Sequence, residues 1–196
     1  MTSKRAFIIH GYQSNPNEAW LPWLKAQLEK AGFAVALPAM PQPERPVISE
    51  WIGFIADLVG EPDNGTVMIG HSIGCQAILR YLETVGMVGK AVAKTVLVAG
   101  FFPIGMSPAE AERETGGDAA LMPWFISGLD PVKVKRAAGR CSVILSDNDP
   151  YLPMDKTTAT FRAAVDPRIV IERGKGHFNE DNHLTELPSA LAAVIS

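Results

Sequence analysis

Six short apolar runs recur along this 196-residue chain, separated by longer stretches whose apolar residues return at helical spacing. The runs fall at residues 5–9, 34–37, 66–69, 94–99, 141–145 and 168–171. They are nearly continuous rather than alternating, which suits strands covered on both faces, as in a parallel sheet. The stretches 17–31, 47–59, 72–85, 131–138, 154–164 and 184–195 read as helices. In the first of them Trp20, Trp23, Leu24 and Leu28 share a face, while Glu18, Lys25 and Glu29 lie elsewhere. Strand and helix in alternation, joined by right-handed crossovers, predict a three-layer α/β/α sandwich around a mostly parallel sheet of about six strands. Ligands bind such sheets at the carboxyl ends of the strands. Each functional residue is therefore expected just after a strand.

Residues 101–139 interrupt the rhythm. The segment is long for a connection and holds Gly105, Pro108, a charged stretch at 110–114 and Gly116-Gly117. One or two short helices crossing the top of the sheet are expected there. With no repeat, low-complexity tract or linker, residues 1–196 are expected to form one domain.

Composition excludes several function classes. Apolar residues make up 47% of the chain and charged residues 20%, as in a folded globular protein. A net charge of −3 offers no footprint for nucleic acid, and no basic cluster addresses an anionic membrane. No run is long enough to span a bilayer, and the first strand is too short for a signal-peptide core. Cys75 and Cys141 have neither metal-ligand spacing nor the pattern of a disulfide framework, and read as buried structural cysteines. A cytoplasmic enzyme without metal or cofactor is expected.

Directly after the third run comes Gly70-His71-Ser72-Ile73-Gly74, followed by a helix-compatible stretch. A G-x-S-x-G sequence between strand and helix is the pattern of a nucleophile elbow, in which a tight, strained turn exposes the serine hydroxyl. Serine is a weak nucleophile near neutral pH. It needs a base to take its proton and an acid to orient that base. In this arrangement the chain order is serine, acid, histidine. Ser146-Asp147-Asn148-Asp149-Pro150-Tyr151 follows the fifth run, and Gly174-Lys175-Gly176-His177-Phe178 follows the sixth. Ser72, Asp149 and His177 are the expected catalytic residues, with Asp147 the alternative acid and otherwise a brace for that turn. His10 precedes the serine and would shape the loop after the first strand, and His183 suits an exposed or capping role. The backbone N–H of Ile73 and that of Tyr12, or alternatively Gln13, are expected to hold a developing oxyanion.

Together these residues resemble the α/β-hydrolase superfamily. More narrowly, the chain is similar to the small serine hydrolases grouped with retinoblastoma-binding protein nine and the bacterial YdeN proteins. The resemblance spans nearly the whole chain, from His10-Gly11-Tyr12 and the Trp20/Trp23 helix to Asp149-Pro150-Tyr151-Leu152-Pro153 and Gly176-His177-Phe178. It implies a compact hydrolase without a large cap and a triad of Ser72, Asp149 and His177. The human relative is described as having peptidase-type activity, and the bacterial members as hydrolases or esterases.

The substrate is less constrained. His71, Phe101, Phe102, Trp124, Tyr151 and Phe178 are candidates for a pocket that takes an apolar acyl or aromatic group, although aromatic residues in loops also close cores. A small ester or amide is the expected substrate. The same machinery serves amide or peptide cleavage and acyl transfer. A silent binding protein on the same fold is the rival of another class. A nucleotide-binding α/β domain is disfavoured because neither G-x-x-x-x-G-K-[ST] nor G-x-G-x-x-G occurs.

Overall fold

In a computed structural model, which describes residues 4–196, the six runs pair into one sheet. Its strands are β1 (Arg5–Ile9), β2 (Ala34–Ala36), β3 (Thr66–His71), β4 (Lys94–Val98), β5 (Arg140–Ser146) and β6 (Arg168–Glu172). They lie in the order β2-β1-β3-β4-β5-β6, and every neighbouring pair is parallel. The helices are α1 (Leu21–Lys30), α2 (Ile48–Val59), α3 (Ile73–Met87), α4 (Pro108–Thr115), α5 (Met122–Ile126), α6 (Pro131–Ala137), α7 (Met154–Ala164) and α8 (Pro188–Ile195).

The near-continuous apolar strands follow from burial on both faces, because successive side chains point to opposite sides. Ala6, Ile8, Val67, Ile69, Val96 and Ile144 pack under α1 and α8. Their neighbours Phe7, Ile9, Met68, Leu97 and Val143 pack under α2, α3, α6 and α7. Each large aliphatic side chain so withdrawn from water contributes about 1.5–3 kcal/mol.

Two helices begin later than their periodicity suggests. The expected 17–31 helix starts at Leu21, and the expected 184–195 helix at Pro188. Proline lacks an N–H and is accommodated in the first helical turn, so Pro22 and Pro188 mark the starts. Ala19 adds a φ of 51° that no helix tolerates. The segment 101–139 folds as α4 and α5 before α6. Arg80 on α3 ties α5 down by donating to the carbonyls of Trp124 (3.0 Å) and Ser127 (2.8 Å).

Strand order sets the location of the site. From β1 the chain moves outward to β2, then returns to the other side of β1 as β3. The connections leaving β1 and β3 therefore diverge and open a crevice between their carboxyl ends, the usual ligand position in an open parallel sheet. Register places Ile9 opposite Gly70 and His71 opposite Val98, so the ends of β1, β3 and β4 are level.

Candidate active site

Ser72 sits between the last residue of β3 and the first of α3, with φ 52° and ψ −122°. A side chain in that region costs of order 1–3 kcal/mol and is sustained only by its surroundings. Here the Ser72 N–H donates to the Val98 carbonyl (3.0 Å), and the Ser72 carbonyl accepts from the Cys75 N–H (3.0 Å). The flanking glycines let strand and helix meet. A Cβ on Gly70 would come within 2.8 Å of the Cys75 backbone nitrogen, and one on Gly74 within 2.3 Å of the Ile9 carbonyl oxygen.

The loops after β5 and β6 close over this serine. His177 Nε2 lies 2.9 Å from Ser72 Oγ, and His177 Nδ1 lies 2.9 Å from Asp149 Oδ2. With the carboxylate accepting, Nδ1 carries the ring proton and Nε2 is left to accept from the serine hydroxyl. The Asp149 side chain is 2% exposed, and its Oδ1 accepts from the Tyr151 and Leu152 N–H groups (2.9 and 3.3 Å). Asp147 does not reach the imidazole. Its Oδ1 accepts from the Gly174 N–H (2.8 Å) and braces the histidine loop. Ser146 and Asn148, which the sequence reading gave no role, do the same for the Lys175 and Gly176 N–H groups (3.0 and 2.8 Å). Four consecutive side chains, residues 146–149, thus each hold the next loop at one point.

On the other side of Ser72 the loop after β1 is shaped by His10. The Met40 N–H donates to His10 Nε2 (2.9 Å), so Nδ1 holds the proton and donates to the Gly11 carbonyl (3.0 Å). Burial lowers the pKa of this histidine and favours the neutral ring. The Gln13 N–H is engaged by the Pro43 carbonyl (3.0 Å). Among the described residues the Tyr12 and Ile73 N–H groups have no such acceptor, and Ile73 opens α3 at its positive end. The Tyr12 hydroxyl donates to Asp118 Oδ2 (2.8 Å), joining this loop to the segment that carries α4 and α5.

A cavity of about 540 Å³ opens over Ser72 and His177. Phe101, Leu121, Phe125, Tyr151 and Leu152 supply its apolar lining. Phe101 stacks on Phe125 with ring centroids 4.4 Å apart, and Tyr151 meets the His177 ring edge-on at 4.9 Å. Its polar lining includes Gln13, Glu18, Glu114, Asn179, Glu180 and Asp181. Among the described residues no ion pair engages Glu18, Glu180 or Asp181. These acids escaped the sequence reading because residues 18 and 180 come to line one cavity only in the fold.

Four expected pocket residues lie elsewhere. Trp124 is fully buried, and its indole N–H donates to the Pro46 carbonyl (3.0 Å). Phe178 is fully buried in the core beneath α1 and α8. Phe102 is buried with its ring edge-on to Phe161. His71 points away from the cavity into the core, where Nε2 donates to the His177 carbonyl (2.8 Å). Burial pushes its pKa down to about 3, so the ring is neutral. Phe101 and Tyr151 do line the cavity. Among the described residues no three His, Cys, Asp or Glu side chains gather into a metal-ligating group, and no helix is long and apolar enough to cross a membrane.

The serine hydrolase family profile matches residues 6–196. The chain is 28% identical over 187 residues to YdeN of Bacillus subtilis, spanning 95% of this chain and 92% of that protein. It is 28% identical over 160 residues to the serine hydrolase RBBP9 of Rattus norvegicus, spanning 81% and 77% of the two chains. The crystal structure of the B. subtilis ydeN product superposes with a TM-score of 0.84, covering 98% of this chain and 97% of the other. Est1E from Butyrivibrio proteoclasticus, 15% identical, shares the fold with a TM-score of 0.67 over 90% and 81% of the chains.

Proposed function

The chain belongs to the serine hydrolase family, and from that premise we propose that it cleaves a small carboxylic ester or amide through an acyl-enzyme on Ser72. The observation that carries the reading is the unbroken hydrogen-bond line Ser72 Oγ, His177 Nε2, His177 Nδ1, Asp149 Oδ2, with both links at 2.9 Å. Along this line His177 takes the Ser72 proton as Oγ attacks the substrate carbonyl carbon. Asp149 keeps Nδ1 protonated, holds the ring and stabilises the imidazolium that forms. The carbonyl oxygen becomes an oxyanion, which the Ile73 and Tyr12 N–H groups receive with the field of the α3 N-terminus behind them. His177 returns the proton to the leaving alcohol or amine as the tetrahedral adduct collapses. Water, deprotonated by the same imidazole, then attacks the acyl-enzyme and releases the acid and free Ser72.

The cavity supports a substrate chemistry. Its apolar lining suits an acyl or aromatic group, and its polar lining suits the leaving group and water. Glu18, Glu180 and Asp181 favour a second reading of the substrate, an amide or ester that carries an amino group, since an ammonium near these carboxylates gains attraction that an anion does not. The experiment is hydrolysis of short p-nitrophenyl esters and of aminoacyl amides by native protein and Ser72→Ala. Ester or amide turnover lost in Ser72→Ala supports hydrolysis, and the preferred panel chooses between the two substrates. Acyl transfer to added alcohols in place of hydrolysis would make the protein a transferase. No turnover or acylation by folded protein would favour the binding-protein reading.

A further inference from the structure

We infer that His71 and Trp20 are positioning residues for His177, gripping the backbone that carries the imidazole so that its distance from the nucleophile is fixed. The inference rests on the reading of Ser72 as nucleophile and His177 as base.

His177 stands on a turn that closes with a single backbone bond of its own, from the Phe178 N–H to the Lys175 carbonyl (3.0 Å), and is otherwise held by side chains from outside it. Gly174, Gly176 and Phe178 all have positive φ, of 64°, 52° and 58°. Glycine adopts that region freely, but for phenylalanine it costs about 1–2 kcal/mol. The N–H groups of Gly174, Lys175 and Gly176 are held by the side chains of Asp147, Ser146 and Asn148. The carbonyls of the next two residues are held by buried side chains. His71 Nε2 donates to the His177 carbonyl at 2.8 Å, and Trp20 Nε1 donates to the Phe178 carbonyl at 3.0 Å. Both donors are buried, and their rings pack edge to face with centroids 5.9 Å apart. Two consecutive carbonyls are thus clamped by one aromatic pair, within a core that leaves those rings little freedom.

The clamp acts on the nucleophile through the chain itself. His71 immediately precedes Ser72, so the dipeptide 71–72 grips His177 twice, once at its carbonyl and once at Nε2. A shift of the histidine loop cannot occur without breaking one of these bonds. Histidine suits this position because a neutral imidazole donates a hydrogen bond without bringing a positive charge next to the imidazolium that His177 becomes. Lysine or arginine would oppose that charge. The burial that keeps His71 neutral therefore has a functional consequence in addition to a structural one.

The test is the rate at which a reporter fluorophosphonate modifies Ser72, followed to its alkaline plateau, together with the labelled fraction and thermal unfolding. His71→Phe keeps an aromatic ring and removes the donor. His71→Gln restores an N–H at similar reach. Trp20→Phe removes the other donor, and Ser72→Ala is the blank. A loosened imidazole displaced by about 1 Å costs on the order of a hundredfold, so His71→Phe is expected to slow the plateau rate by about ten- to a hundredfold. His71→Gln should recover most of that loss, and Trp20→Phe should slow labelling in the same direction. A variant that only lost stability would lower the labelled fraction and leave the rate of the folded molecules unchanged. Wild-type rates in folded His71→Phe and Trp20→Phe would overturn the inference alone, as would equal slowing in His71→Phe and His71→Gln. If His71→Phe does not fold, the rate of Trp20→Phe decides by the same criterion. Absence of Ser72-dependent labelling in folded native protein would remove the nucleophile reading and this inference with it.

Discussion

Replacing Asp149 by asparagine changes one atom in the line that ends at Ser72, and the structure fixes which way the new amide must face. Oδ1 of Asp149 accepts two backbone N–H groups, from Tyr151 and Leu152, while Oδ2 accepts from His177 Nδ1. The carbonyl oxygen of an asparagine must keep the first position, because an NH₂ there would face two donors in a site with almost no access to water. The NH₂ then faces Nδ1 and donates to it. His177 is driven to the tautomer with its proton on Nε2, pointing at Ser72 Oγ, and it can no longer accept the serine proton. A wrong tautomer in this arrangement lowers kcat by about 10⁴-fold, equivalent to about 5.4 kcal/mol in the barrier. Asp147→Asn keeps the oxygen that accepts from Gly174 and should cost less than about tenfold, one decade or 1.4 kcal/mol. The assay is steady-state hydrolysis of the best p-nitrophenyl ester, with thermal unfolding to show that both variants are folded and Ser72→Ala as the blank. Asp149→Asn within tenfold of native, or a larger loss in Asp147→Asn, would refute the reasoning.

Three further outcomes are expected. Gly74→Ala should destabilise the protein severely, because its Cβ would press to 2.3 Å on the Ile9 carbonyl oxygen, whereas Gly53→Ala, in open space on α2, should stabilise it by about 0.5–1 kcal/mol. Denaturant midpoints of the two variants check both signs, and tolerance of Gly74→Ala would contradict the close approach of α3 to β1. Stability should fall on acidification: burial lowers the pKa of His10 and takes His71 from 6.5 to about 3, so below 6.5 the unfolded chain binds the extra protons. The His71 contribution is complete above 6.5, then declines by up to about 1.4 kcal/mol per pH unit as pH falls towards its folded value, and denaturation of native protein and His71→Gln at pH 7 and 5 should show a shallower loss in the variant. Burial also pushes up the thiol pKa of Cys75, and that of Cys141 to about 12, so both should react slowly with a disulfide reagent in the folded protein and rapidly once it is unfolded.

The sheet was readable because its strands are buried on both faces, which leaves a mark in the sequence as unbroken apolar runs. Ile8-Ile9 and Val96-Leu97-Val98 could hardly sit anywhere else. Helix starts were less readable because helical periodicity continues through Asn17–Trp20, where a positive φ at Ala19 and the proline at position 22 decide against a helix. At the site, Ser72 and His177 stood out because a glycine-flanked serine and a glycine-flanked histidine each follow a strand in the right order. The sequence favoured Asp149 through Asp149-Pro150-Tyr151-Leu152-Pro153 but left Asp147 as the alternative acid. Asp147 and Asp149 lie two residues apart in one loop, and only the path of that loop sends one to the imidazole and the other to Gly174. The pocket was least readable. Trp124 and Phe125 are adjacent aromatic residues on α5, yet one turns inward to a carbonyl 78 residues away and the other stacks on Phe101 at the cavity. His71 shows the same limit. Its place beside Ser72 suggested the cavity, but a fully extended strand sends neighbouring side chains to opposite sides, and its side chain enters the core.

Intact-mass spectrometry of the folded protein after brief exposure to a fluorophosphonate tests the nucleophile most directly. One adduct per chain is expected, confined to the peptide containing Ser72, absent from Ser72→Ala and from protein unfolded before exposure. An adduct on another residue, or none on folded protein, would contradict an activated serine at the end of β3.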